Sequence, residues 1–246
     1  MKKLLLAGSL LSAFVSGAGA ADLGAPRGPV ATAVVAPTFN WTGFHAGADL
    51  GYWTGSTALS LPALAGTNGR PSPSGVKLGG HIGYLHQFAN NLVLGLEGDL
   101  SWLGGRNRDG VLDGFPASFY RVRGNWDGSI RAAAGFAADR ALIYTTAGVA
   151  FINTTGCGYN IAPPCVAGTA FGGTRVGWTV GAGLAYAVTS NVSVRGEYLY
   201  ANYGTRDYAT PSSAGGTTRF RLDTHTVRLG LSYHFTTGPS AVVVRY

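Results

Sequence analysis

Apolar and polar residues alternate with a period of two in eight separate stretches of the chain. The clearest alternation lies between Thr224 and Phe235, where Val, Leu, Tyr and Phe occupy every second position and Thr, Arg, Gly, Ser and His fill the others. Because successive side chains of a strand point to opposite faces, this pattern predicts a β-strand with one oily and one wet side. The eight predicted strands are 42–53, 76–88, 92–102, 123–137, 141–153, 174–188, 192–203 and 224–235. The stretch 141–153 has the weakest contrast between its two faces, and it is counted as a strand because of the predicted topology rather than its pattern.

About ten residues are enough for a tilted strand to cross a bilayer. A lone amphipathic strand in lipid would leave its backbone N–H and C=O groups unpaired, so the eight strands must close into a barrel. The connections alternate between tight turns near 89–91, 138–140 and 189–191 and long loops at about 54–75, 104–122, 154–173 and 204–218. This alternation is typical of outer-membrane barrels, with short periplasmic turns and long extracellular loops.

The predicted fold class is therefore all-β, an eight-stranded antiparallel transmembrane β-barrel with both termini in the periplasm. A lipocalin-like soluble barrel is the alternative, since alternation alone does not tell the inner face from the outer face. Aromatic residues at the strand ends favour the membrane, because Tyr and Trp collect at membrane interfaces.

The first 20 residues read as a signal peptide: two lysines, an apolar run too short to span a membrane, and small residues ahead of a cleavage site before Ala21. Residues 21–40, with three prolines, are predicted to be a flexible periplasmic linker. The barrel is expected over 41–235 and a periplasmic tail over 236–246. Export by a cleaved signal peptide, together with a membrane barrel, predicts a location in the outer membrane of a Gram-negative bacterium.

Composition supports a membrane barrel. The chain has 39 Gly, 12 Tyr, 11 Phe and 5 Trp, and only 12% of its residues are charged, against about a quarter in a typical soluble domain. The net charge of +7 comes without a basic helix or a stacking motif, so nucleic acid is not expected as a partner. Arginines in the predicted loops suit a rim that faces anionic headgroups, and outer-membrane lipid and lipopolysaccharide are the expected surroundings.

Charged residues of both signs fall on the predicted inner face. They are Lys77, Glu97, Asp99, Arg123, Asp127, Arg131, Arg195, Glu197 and Arg228. Buried ions need partners, and eight strands leave an interior only just wide enough for side chains. A paired network that fills the lumen is the preferred interpretation, and a small selective pore is the alternative.

Cys157 and Cys165 flank turn-forming residues in the third predicted long loop. Two cysteines in an exported loop suggest a disulfide, and two free thiols are the alternative. The five histidines show no metal-binding spacing such as HExxH, and they offer weak material for a catalytic triad. No metal, cofactor or enzymatic activity is expected.

Several strands resemble those of a known family. The segment Trp41–Tyr52 resembles the opening strand of the Omp25/Omp31-like outer-membrane proteins of alphaproteobacteria, and 94–100, 177–183 and 195–200 are also similar to strands of that family. The resemblance covers nearly all of the chain after the signal peptide. It implies an eight-stranded barrel related to the transmembrane domain of OmpA, abundant, surface-exposed and immunogenic.

The resemblance also implies two sites. Alternate residues of the last strand, Leu229, Leu231, Tyr233 and Phe235, resemble the closing-strand signal read by the barrel-assembly machinery. A plain aromatic girdle is the alternative, and family members commonly stop near the final Phe whereas this chain continues over 236–246. After the predicted cleavage the chain would begin with Ala21-Asp22, which resembles relatives whose N-terminal amine is joined to peptidoglycan by an L,D-transpeptidase. The alternative is that this segment is an ordinary spacer.

The expected function is a structural outer-membrane barrel that supports envelope integrity and surface display, with a peptidoglycan tether at its N-terminus. Two alternatives remain at this point: a narrow porin for small solutes, and a loop-based adhesin or ligand-binding protein.

Overall fold

The computed structural model describes residues 39–60, 68–69, 72–104, 108–112, 115–160, 171–209 and 217–236. They form ten β-strands: β1 Gly43–Ser60, β2 Asn68–Gly69, β3 Ser74–Gln87, β4 Leu92–Leu103, β5 Arg108–Leu112, β6 Phe115–Ala138, β7 Ala141–Asn160, β8 Phe171–Ala187, β9 Val192–Ala209 and β10 Thr217–Thr236. Within these ranges no helix has the length and apolar character that a membrane crossing requires.

Eight long strands close into an antiparallel barrel in the order β1, β3, β4, β6, β7, β8, β9, β10. The last strand returns to the first along its whole length, from Gly43 opposite Thr236 to Ser60 opposite Arg219. The short strands β2 and β5 pair with β1 and β6 outside this ring. Closure removes the unpaired edge that a strand would otherwise expose to lipid, and the predicted fold is confirmed.

The two ends of the barrel differ as the sequence predicts. At the end called the turn end, β3–β4, β6–β7 and β8–β9 are joined by tight turns, and the β3–β4 and β6–β7 turns hold Asn91 at φ 65° and Asp139 at φ 58°. Asn and Asp tolerate this left-handed conformation better than other residues with a side chain. The opposite end, called the loop end, carries the long connections.

The strands at the loop end are longer than predicted. β1 continues to Ser60, β6 already begins at Phe115 and β10 at Thr217, so much of the predicted loops 54–75, 104–122 and 204–218 is an extension of the wall. Beyond the apolar band, water reaches both faces of a hairpin. The strands therefore continue there without the oily and wet alternation on which the prediction depended.

An apolar band covers the outer wall. Leu229 is 70% exposed, Leu100 63% and Ile143 62%, as expected for side chains that face lipid. Large aromatic residues mark both borders, with Trp102 and Trp178 towards the loop end and Phe44, Tyr186 and Phe235 towards the turn end. The ten-residue step from Leu92 to Trp102 covers about 34 Å of strand, or roughly 26 Å of height at a 40° tilt, which matches the ~25 Å lipid-facing band of such barrels. Apolar residues outside exclude the lipocalin-like alternative.

The lumen is filled in three layers. A turn-end layer of buried apolar residues comprises Phe39, Trp41, Leu85, Val93, Ala137, Leu142, Tyr144, Ala185 and Ala187. A loop-end layer comprises Trp53, Leu103, Val122, Ala150, Ile152, Ala201, Tyr203, Phe220 and Leu222. Buried ionic side chains occupy the space between the two.

Candidate functional site

The centre of the lumen is an ion layer of four carboxylates and three guanidinium groups. Its members are Asp49 on β1, Glu97 and Asp99 on β4, Arg131 on β6, Arg195 and Glu197 on β9, and Arg228 on β10. Alternation directs all of them inwards, because their neighbours along each strand face the apolar band. The side chains of Arg131, Glu197 and Arg228 are 0% exposed.

Glu97 is the hub of this layer. Its carboxylate accepts hydrogen bonds from Arg131 at 2.6 Å, from Arg228 at 3.3 Å and from Arg195. β4 and β9 are four strands apart in an eight-stranded ring, so the Glu97–Arg195 pair ties opposite walls together. Arg131 also donates to Glu197 at 2.7 Å, and Arg228 Nε donates to the second oxygen of Glu197 at 2.7 Å. Charge-assisted bonds of this kind are about twice as strong as neutral ones, so they brace the wall across the lumen.

A separate ion pair lies between the ion layer and the loop-end layer. Lys77 Nζ donates to Asp127 Oδ2 at 2.6 Å, and the side chains are 4% and 12% exposed. The second oxygen of Asp127 has no hydrogen-bond partner among the described residues. Towards the loop end, Arg175 donates to the carbonyl oxygen of Phe220 and stacks on its ring at 4.4 Å.

Three histidines lie beside the ion layer, and one of them, His81, connects it to a hydroxyl group. His81 Nδ1 lies 2.8 Å from Asp49 Oδ2, and His81 Nε2 lies 2.8 Å from Ser232 Oγ. His81 reaches Ser232 by crossing over β1 at Gly47, which pairs with both residues; a Cβ at Gly47 would come within 2.6 Å of the imidazole ring. His45 and His234 stack in the same region, with ring centroids 5.6 Å apart.

The hydrogen bonds link Asp49, His81 and Ser232 in the same sequence as the acid, base and hydroxyl of a catalytic triad. The Ser232 hydroxyl, however, faces the interior of a filled lumen, and Ser232 is 3% exposed. Asp49 is shared with Arg195, whose guanidinium lies 3.1 Å away. The geometry favours a structural hydrogen-bond chain over a nucleophile that a substrate could reach.

The turn end of the lumen is closed by the chain itself. The segment Phe39–Trp41, called the stopper, folds into the mouth ahead of β1, where Trp41 is 1% and Phe39 8% exposed. Both rings contact His234 edge-on, at centroid distances of 5.5 Å and 5.4 Å. The Trp41 backbone N–H donates to the side chain of Gln87 at 2.9 Å. Phe39 and Asn40, predicted to end the flexible linker, therefore belong to the barrel, because Phe39 buries its ring there.

Little open space remains inside. A cavity of about 40 Å³ lies between the stopper and the ion layer, bordered by Trp41, His45, Tyr144 and His234. A second of about 20 Å³ lies between the ion layer and the loop-end layer, bordered by Lys77, Asp127 and Tyr203. Each has room for only a few water molecules. The side chains of the ion layer lie between the two cavities.

The structure brings together eight of the nine predicted lumen charges, six in the ion layer and two in the Lys77–Asp127 pair. The placement of Arg123 was wrong. A β-bulge between Gly124 and Trp126 shifts the register of β6 against β7 and reverses the alternation beyond it. Val122 consequently faces the lumen and Arg123 is exposed on the outside.

The other predicted sites lie at the edge of the described chain or beyond it. Cys157 is disulfide-bonded, and its predicted partner Cys165 lies outside the described residues, so the pairing stays a prediction. Ala21 and Asp22 also lie outside them. Leu229, Leu231, Tyr233 and Phe235 all face lipid on β10, each at least 50% exposed.

Sequence reasoning missed several members of the site. Asp49, His45 and His81 lie on inner faces that the alternation identified, but their meeting depends on strand register. Trp41 and Phe39 precede the first period-two stretch, and no pattern signalled that they turn into the lumen. Among the described residues, no cluster of His, Cys, Asp and Glu could hold a metal ion.

Comparisons with known proteins agree with this architecture. The family model described as outer membrane protein beta-barrel domain matches residues 10–235. The chain is 34% identical to the 25 kDa outer-membrane immunogenic protein of Brucella abortus over 96% of this chain and 99% of that protein. It is 31% identical to the 31 kDa outer-membrane immunogenic protein of Brucella melitensis, over 96% and 100% respectively. Among solved structures, the outer membrane protein OprG from Pseudomonas aeruginosa is similar in fold, with a TM-score of 0.54 at 13% identity over 81% of this chain and 99% of that one.

Proposed function

Because this chain belongs to the outer membrane β-barrel domain family, and within it to the Omp25/Omp31-like proteins, we propose that it is a closed structural barrel that supports the integrity of the cell envelope and displays its loops outside. The observation that carries the proposal is the filled lumen. Ion pairs tie opposite walls together, and apolar layers seal both ends. Such an interior favours rigidity over passage.

The proposed orientation places the turn end in the periplasm and the loop end outside the cell, as is usual for barrels with short turns on one rim. The test of the structural role is a strain that lacks the protein. We expect it to leak periplasmic enzymes and to become sensitive to detergent. The full chain should restore the barrier, and so should a chain without residues 161–170, because the support comes from the barrel wall. An intact barrier in the strain that lacks the whole protein would contradict the proposal.

The chain without residues 161–170 also tests the adhesin alternative. If the protein binds a host cell or a soluble ligand through this loop, removal of 161–170 should abolish binding while the barrier function persists. Unchanged binding would count against that alternative. In the same experiment Cys165 is lost, so a matched Cys157→Ser, Cys165→Ser variant is needed to separate the loss of the loop from the loss of the predicted disulfide.

A covalent tether to peptidoglycan is the finer part of the proposal. The stopper supports it, because the buried Phe39 and Trp41 hold the chain inside the turn-end mouth. The 17 residues from Asp22 to residue 38 could span at most about 60 Å, enough to reach away from the barrel. Mass spectrometry of muramidase-released peptides from detergent-boiled sacculi should find Ala21 carrying a muropeptide. Unmodified Ala21 alone, with no protein retained on sacculi, would end this part of the proposal.

The proposal includes the absence of enzymatic activity, despite the Asp49–His81–Ser232 chain. A fluorophosphonate probe should not label Ser232 in the folded protein, since the surrounding cavity is about 40 Å³. Labelling that disappears in Ser232→Ala would contradict a purely structural role. The same variant should lower the free energy of unfolding by about 1 kcal/mol, the usual value of one hydrogen bond.

A further inference from the structure

Among the described residues, a cluster of polar and aromatic side chains interrupts the apolar outer wall at the loop end of β9 and β10. This outer-wall cluster consists of Tyr198, Tyr200, Asn202, Arg221, Asp223 and His225. Their neighbours along the strands, Leu199, Ala201, Leu222 and Thr224, are buried in the lumen, so alternation turns the cluster outwards. Charged groups on the lipid side of a barrel are costly, and the cluster needs an explanation.

The cluster is organised by its own hydrogen bonds. Asp223 Oδ1 accepts from the Tyr200 hydroxyl at 3.0 Å and from the Asn202 amide, while Asp223 Oδ2 accepts from Arg221 Nε at 3.1 Å. The Tyr198 hydroxyl and His225 Nδ1 share a hydrogen bond of 2.7 Å. The rings of Tyr200 and His225 lie 5.2 Å apart. The side chains are therefore held in place before any ligand arrives.

Strand register fixes the height of the cluster. Tyr200 pairs with His225, and the next outward pair towards the turn end is Tyr198 with Val227, which faces lipid at 60% exposed. Trp178, a member of the loop-end aromatic border, contacts Tyr200 edge-on at 5.4 Å. The cluster thus lies at the boundary between the apolar band and water, which is where lipid headgroups are found.

The chemistry of the cluster suits an anionic sugar headgroup. Arg221 uses Nε for Asp223, and its two terminal nitrogens have no hydrogen-bond partner among the described residues, so they can meet a phosphate. Tyr, Asn, Asp and His side chains supply the hydrogen bonds that sugar hydroxyls require. On the β6–β8 wall, the outward polar residues Asn125, Asn153 and Thr174 are hydrogen-bonded but uncharged, and the exposed Arg123 lies two residues along β6 from Asn125.

We propose that the outer-wall cluster binds the phosphorylated disaccharide headgroup of one lipopolysaccharide molecule in the outer leaflet. Arg221 contacts a phosphate, and the Tyr198, Tyr200 and His225 side chains contact the adjoining sugar. The site rests on the loop end facing the cell exterior, as in the proposed function. It makes no use of the lumen or of the N-terminus.

The test measures binding of purified lipid A to the full mature protein in detergent micelles by native mass spectrometry. Arg221→Gln should weaken binding about fivefold, the usual effect of one cationic side chain near an anionic membrane surface. Removal of the phosphates from lipid A should weaken wild-type binding by a similar factor and leave the Arg221→Gln variant little changed. The matched control is Arg140→Gln, which removes one exposed positive charge at the turn end and should leave binding unchanged.

Asp223→Asn separates a built site from general attraction. It makes the wall more positive, so simple electrostatics predicts tighter binding. The proposed site predicts weaker binding, because Tyr200, Asn202 and Arg221 lose the carboxylate that orients them. Equal or tighter binding by Asp223→Asn, or equal losses in Arg221→Gln and Arg140→Gln, would overturn the proposal. Since binding is measured in micelles, neither a conducting lumen nor a missing tether affects this result.

Discussion

Replacing Lys77 by methionine should destabilise the barrel far more than replacing Lys77 and Asp127 together. The ammonium and the carboxylate are 2.6 Å apart, and their side chains are 4% and 12% exposed. In Lys77→Met, Asp127 loses its one ion-pair partner among the described residues, and breaking such a buried pair costs about 3–5 kcal/mol. Asp127→Leu should cost a similar amount, because it leaves the ammonium unpaired. The double variant Lys77→Met, Asp127→Leu buries no charge, and such replacements are commonly neutral within about 1 kcal/mol or stabilising.

Urea titration of the protein refolded into lipid vesicles measures these free energies of unfolding. Folding can be followed by tryptophan fluorescence and by the mobility of the unheated barrel on gels. With a urea dependence of about 1–3 kcal/mol per molar, a loss of 3 kcal/mol moves the midpoint by about 1–3 M. The two single losses of at least about 3 kcal/mol each, less at most about 1 kcal/mol for the double variant, predict a coupling energy of at least about 5 kcal/mol. A double variant as unstable as the worse single variant would refute the reasoning, and so would singles that cost less than about 1 kcal/mol.

Three further outcomes follow from the layers and faces of the barrel. Trp41→Ala should lower the free energy of unfolding in the same urea titration by about 3–5 kcal/mol, the usual cost of removing a fully buried large side chain; an unchanged midpoint would mean that the stopper does not hold the mouth. Arg131→Met should lower the free energy of unfolding by at least about 3 kcal/mol. Arg123 lies on the outside beyond the bulge, so Arg123→Met should change that free energy by no more than about 0.5 kcal/mol. Equal losses would contradict the faces assigned to the two arginines. Phe235→Ala should reduce severalfold the amount of folded barrel recovered from outer membranes. Phe44→Ala, which changes the residue paired with Phe235, should not reduce it. Equal recovery of the two variants would contradict a role of Phe235 in a closing-strand signal.

The alternation of residues was enough to predict the wall because lipid and the lumen impose different demands on the two faces of each strand. That contrast disappears beyond the apolar band, which is why the extensions of β1, β6 and β10 were assigned to loops. The reversal at Arg123 depends on one extra residue in β6 next to Gly124, and a single-residue bulge leaves no periodic signal.

Inward faces could be assigned from the sequence, but the partners across the lumen could not. Glu97 and Arg195 meet because β4 and β9 lie opposite each other at matching heights, and this requires the register of every strand between them. His81 and Ser232 meet because both pair with Gly47, a contact between residues far apart in the chain. The stopper could not be predicted from the sequence for another reason, because Phe39 and Trp41 belong to no alternating strand.

Ionic current through planar bilayers containing the purified mature protein tests the closed lumen most directly. Because apolar layers and an ion layer fill the lumen, we expect the current at high salt to stay at the baseline, without discrete steps, in membranes shown to contain the folded barrel. Regular current steps from the wild-type protein, absent from membranes that contain the unfolded chain, would contradict the closed lumen and establish the narrow porin instead.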